Sequence, residues 1–126
     1  LDPDRPDDLR HTRVLHAVFC GELARNWNDL LQVAHRVAFR KAGSYDALRF
    51  MTTTNIIQGR KTDSGFVYLD DIDLSIQNIE ANRCWQTVLH LAKKLNGSVQ
   101  VELEWRDKEG AAHPGKTAVL RWPGDK

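Results

Sequence analysis

Cysteine, methionine and net charge are all scarce in this 126-residue sequence, which has two cysteines, one methionine and a formal charge of +1. The two thiols, Cys20 and Cys84, are too few for a disulfide framework. Each sits in an apolar stretch, where a buried free thiol acts as a small hydrophobe. That usage predicts a reducing, cytoplasmic setting. No apolar run approaches the ~20 residues of a membrane-spanning helix, and no stretch reads as a secretory signal. The five histidines, His11, His16, His35, His90 and His113, lack metal-ligand spacing, so neither a metal nor another cofactor is expected. His16 and His90 read as half-buried structural residues. What is present suits one folded domain: 41% hydrophobic and 28% charged residues, enough to bury a core without staples.

The opening "LDPDRPDD" is acidic, carries proline and cannot build a core. Residues 1–8 therefore read as an acidic linker and 9–126 as a single domain, a piece of a longer protein. "RVLHAVFC" (13–20) is a strand that ends at Gly21. "NWNDLLQVAHRVAFRKAG" places Trp27, Leu31, Ala34 and Ala38 on one face of a helix over 27–41. Asn26 and Asp29 form its capping arrangement and Gly43 stops it. Ser44 caps a short helix, Tyr45–Met51, and a flexible connection follows with a short strand at Asn55–Gln58.

"FVYLDDIDLSIQ" reads as one strand, because Ile72, Leu74 and Ile76 alternate with Asp71, Asp73 and Ser75. A long amphipathic helix, Ile79–Leu95 capped by Asn78, comes next. Val99, Val101, Leu103 and Trp105 then alternate with polar residues, and "KTAVLRW" returns as an antiparallel strand. The order predicts an α+β fold: a single, mostly antiparallel sheet of about four strands, with two long helices and one short helix packed on it. The Ile79–Leu95 helix should cover the face bearing Val99, Val101, Leu103 and Trp105.

One segment matches a named catalytic pattern. "GAAHPGKT" (110–117) fits G-x-x-x-x-G-K-[ST], the phosphate loop of nucleotide hydrolases. That loop works only where a helix starts directly after it, so that backbone N–H groups and the helix N-terminus hold phosphates. Here Lys116–Trp122 alternates as a strand and Pro123 breaks it. The match therefore reads as the turn of a hairpin. "DDID" (70–73) offers clustered carboxylates without the spaced ligands of a calcium loop, and "VELEWRDK" lacks a nuclease-type Glu-x-Lys.

The small net charge hides a pattern. Residues 31–62 hold Arg36, Arg40, Lys41, Arg49, Arg60 and Lys61 against Asp46 alone. Arg36, Arg40 and Lys41 on a helix, with Arg60 and Lys61 in a loop, are candidate nucleic-acid-binding residues. They would hold phosphates by salt-sensitive, backbone-dominated contact.

"FCGELARNWNDLLQVAHRVA" followed by "VYLDDIDLSIQNIEANRCWQTVLHLAKKLNG" resembles small accessory domains appended to bacterial restriction- and defence-type proteins. The resemblance rests on packing residues, so it implies a fold and a non-catalytic module and transfers no functional residue. Three functions stand as expectations. The first is a non-enzymatic interaction module of a larger cytoplasmic bacterial protein, its partner a protein or other domains of the parent chain. The second is a nucleic-acid-binding domain, and the third an enzyme or nucleotide binder using "GAAHPGKT".

Overall fold

The computed structural model describes residues 1–123. Period-two alternation builds its centre. Val99, Val101, Leu103 and Trp105 lie on one face of a strand, Val99–Trp105, and none is more than 2% exposed. Four strands make the sheet around it. β1 (Thr12–Phe19) pairs antiparallel with this central strand, and β2 (Glu22–Ala24) turns back onto β1. With the intervening elements counted in chain order, the central strand is β6 and β7 (Thr117–Trp122) lies on its other side. The order is β2-β1-β6-β7. The register sets Thr12 opposite Trp105 and Phe19 opposite Val99, with a bulge between Val14 and His16.

The helices follow from their caps. Asn26 accepts a hydrogen bond from the Asp29 N–H (2.8 Å), and α1 runs Trp27–Ala42 to a left-handed Gly43 at φ 85°. A side chain at that φ is strained, so glycine is the fitting stop. Ser44 caps α2 (Tyr45–Met51) in the same way. The long helix α3 spans Ala81–Lys94 and starts later than expected. Its cap is Glu80 rather than Asn78, since the Glu80 carboxylate accepts both the Asn82 and the Arg83 N–H groups.

The expected single sheet is corrected to two. β3 (Ile56–Gln58), β4 (Phe66–Leu69) and β5 (Leu74–Gln77) form a separate antiparallel sheet in the order β3-β5-β4. "FVYLDDIDLSIQ" is a hairpin rather than one strand, because Asp73 takes a left-handed φ of 49° and turns the chain at Asp70–Asp73. The aspartates thus occupy a solvated turn rather than one face of a strand.

Buried positions of α1, from Leu30 to Ala38, span roughly 200° of its circumference at ~100° per residue. That arc is wider than a one-sided surface helix needs. One side of α1 meets β1 and β2, and the other meets α2 and α3. Trp85, Val88, Leu91 and Ala92 of α3 join the same core as the β6 row. Beyond the paired ends of β1 and β6, Gly97 passes so close to Cys20 Sγ that an added Cβ would collide with it. Among the described residues no helix is long and apolar enough to cross a membrane.

Candidate functional site

Four of the five candidate cations have side-chain partners. Arg36, half-buried on α1, donates from Nε to Asp71 Oδ2 at 2.9 Å, so the acidic turn folds back onto the basic helix. Arg40, one turn later, pairs with Glu22 on β2. Lys41 is exposed at the end of α1. In the β3–β4 loop, Arg60 lies over the Tyr68 ring at 5.4 Å, and Lys61 lies over Phe66 at 5.2 Å while pairing with Asp63 at 2.8 Å. That pairing holds the Asp63 carboxyl below its ordinary range.

The loop is fastened at its base. Ser75, fully buried on β5, donates to Gly59 O at 2.6 Å and accepts the Lys61 N–H at 2.7 Å. Tyr68 Oη donates to Asp73 at 2.7 Å, a bond that raises the phenol above its ordinary range. Arg36 and Arg60 therefore approach the same Asp70–Asp73 turn, Arg40 points to β2, and aspartates interleave with the cations. A field built from such alternating charges is weak at a distance.

Of the aromatics that single-stranded bases would need, Tyr68 and Phe66 are the rings beneath those cations, while Phe50 on α2 is exposed. Phosphate-loop geometry is not formed at 110–117. Thr117 opens β7 in place of a helix, and Lys116 O accepts the Trp105 N–H at 2.9 Å as part of the hairpin. Among the described residues, no group of three or more His, Cys, Asp or Glu is placed to hold a metal ion.

The outer face of the β2-β1-β6-β7 sheet is a different kind of surface. The pairing register puts Leu23, Val18, Gln100 and Arg121 in one row across it, and His16, Glu102 and Val119 in the next. The β1 bulge turns Leu15 onto the same face, where it lines a shallow groove with Glu102, Thr117 and Val119. A second groove lies between Val18, Gln100, Arg121 and Trp122. Leu23 is 68% exposed, Leu15 50% and Val119 38%. Single exposed hydrophobes need no explanation, but three on one sheet face are notable. Polar and charged groups lie among them: Arg13 donates to Glu104 at 3.0 Å, and Arg121 donates to Gln100 at 2.9 Å. His16, expected half-buried, is exposed on this face, because the bulge changes the alternation after Val14; His90 is half-buried as expected.

A third polar cluster lies inside. His35 is completely buried on α1. The Leu31 carbonyl can only accept, so His35 Nδ1–H donates to it at 2.7 Å, which leaves Nε2 to accept the Thr52 hydroxyl at 2.7 Å. Burial pushes the imidazole down to about 4. Thr52 Oγ1 also accepts the Thr54 N–H at 3.3 Å. This hydroxyl–imidazole–carbonyl chain ties the end of α2 to α1. Cys84, also buried, donates from Sγ to Trp27 O at 2.8 Å, and burial pushes its thiol well above the ordinary range. A thiol so shielded is a poor nucleophile.

No family model, curated protein or solved structure matches this chain.

Proposed function

We propose that this chain is a non-enzymatic interaction module of a larger cytoplasmic bacterial protein, and that it engages a protein partner or another domain of its parent through the outer face of the four-stranded sheet. The observation that carries this reading is the exposure of Leu15, Leu23 and Val119 on a sheet face opposite the one packed by the helices. A face on which exposed Leu15, Leu23 and Val119 alternate with Arg13, Glu102, Glu104 and Arg121 has the mixed apolar and charged composition of a protein interface. The nucleic-acid reading has less support, because Arg36, Arg40 and Lys61 are each already paired with a carboxylate.

The test uses substitutions that spare the fold. Leu15→Asp with Leu23→Asp changes exposed side chains only, so the unfolding midpoint should stay close to that of the parent sequence. Expressed in the parent protein, the double variant should leave the complex that the unaltered protein forms and elute from a sizing column at a smaller apparent mass. Identical elution of the two proteins, together with identical hydrogen-exchange protection across the β2-β1-β6-β7 sheet face, would overturn the proposal.

A further inference from the structure

Trp85 and Trp105 are 0% and 1% exposed, and an indole N–H at that depth needs an acceptor. Both find one in the opening segment. Trp85 Nε1 donates to Pro3 O and Trp105 Nε1 donates to Asp8 O, each at 2.8 Å. Asn82 of α3 reads the same segment twice, donating from Nδ2 to Asp8 and accepting the Leu9 N–H, again at 2.8 Å each. Lys93 pairs with Asp4. His113 Nε2 donates to Asp7 at 2.6 Å and stands edge-on to Trp105, ring centres 4.8 Å apart. Leu9 closes the run, fully buried. Acidic, proline-bearing residues that read as a linker thus lie along α3 and the β6–β7 hairpin.

We propose that the cleft between α3 and the β6–β7 hairpin is a recognition groove for an extended acidic peptide of the pattern x-Asp-x-x-Asp-Asp-Leu, occupied here by residues 3–9 as an internal ligand. The chemistry is that of peptide recognition. Two buried indoles and Asn82 bind main-chain groups, Lys93 and His113 select carboxylates, and a pocket takes the leucine. Charge complementarity names the occupant: residues 1–8 hold Asp2, Asp4, Asp7 and Asp8 against Arg5 alone, and Asp4 and Asp7 pair with Lys93 and His113. A partner segment of the same pattern competes with the strap, whose effective concentration as part of the same chain is on the order of millimolar. This inference does not depend on the open sheet face.

The experiment uses the full chain and a fluorescent peptide, LDPDRPDDLR, read by anisotropy. Asp4→Lys with Asp7→Lys weakens the strap and leaves the groove intact. That variant should bind the peptide at least about tenfold more tightly than the unaltered chain, because the internal competitor is lost. Adding Lys93→Glu should cancel the gain. A folded double variant that binds no more tightly than the unaltered chain overturns the proposal. Hydrogen exchange on the unaltered chain provides a second measure. The Trp85 and Trp105 indole N–H groups should show protection at least about tenfold below that of the Val101 amide, since the strap opens without global unfolding. Equal protection would show that the strap is fixed core and would equally overturn the proposal.

Discussion

Acidifying the solution from pH 7.5 to 5 puts a proton on His35 only at the expense of the fold. The ring is completely buried, and burial lowers its affinity for a proton from the ordinary 6.5 to about 4. In the unfolded chain the imidazole protonates as soon as the pH drops through 6.5, while the folded chain resists until about 4. The unfolded state therefore binds more protons within that window, and stability falls as pH falls. It is complete above 6.5 and levels off below 4. Integrated between those two values, the linkage costs about 2 kcal/mol at pH 5 relative to pH 7.5. That is a large share of the ~5–15 kcal/mol typical of a domain.

Urea unfolding followed by tryptophan fluorescence at four pH values reads this directly. His35→Asn provides the control, because its amide nitrogen stands where Nδ1 does and can still donate to Leu31 O but does not titrate. The difference between the two proteins should shrink by about 2 kcal/mol as pH drops to 5. Other histidines contribute equally to both. Asp8, whose carboxyl is held well below its ordinary range chiefly by Arg10, loses its contribution only below the ordinary 3.8, outside the window. Parallel loss of stability in the two proteins would refute the buried, neutral imidazole.

Three further outcomes are expected. Leu103→Ala, at a fully buried β6 position, should cost about 2–5 kcal/mol by urea unfolding, whereas Leu23→Ala should stay within about 0.5 kcal/mol; equal costs would mean the sheet faces are misassigned. Lys116→Ala should leave calorimetric titrations with magnesium and ATP unchanged, and a micromolar affinity lost in the variant would restore the phosphate-loop reading. Double-stranded DNA should give a flat titration at low salt; binding whose salt slope falls by about one to two units in Arg60→Ala with Lys61→Ala would instead establish the basic residues as a phosphate surface.

Much of the scaffold was legible because single elements carried their own signals. The β6 alternation, the Asn26 cap and the Gly43 stop of α1 are local patterns, and the structure repeats them. Where two local signals compete, reading fails. "DDIDLSIQ" alternates like a strand, yet the left-handed Asp73 turns it, so one expected strand became a hairpin and one sheet became two. β2 is only three residues long and carries no period of its own. Surface chemistry was the least legible. Asp71, Glu22 and Asp63 pair with Arg36, Arg40 and Lys61, and two of these pairs span 35 and 18 residues, so the charge run along the chain did not show which cations have carboxylate partners. Leu15 reached the open face through a bulge that residue types do not announce. His35 did carry a signal, one turn after Leu31 on the apolar side of the helix.

The most direct test of the interaction-module account is photo-crosslinking inside the cell, with a photoreactive amino acid placed at Leu23 on the open sheet face and, in a second protein, at Arg60. The account predicts a discrete protein adduct from position 23 and no nucleic-acid adduct from position 60. A nucleic-acid adduct at position 60, with none of any kind at position 23, would contradict it.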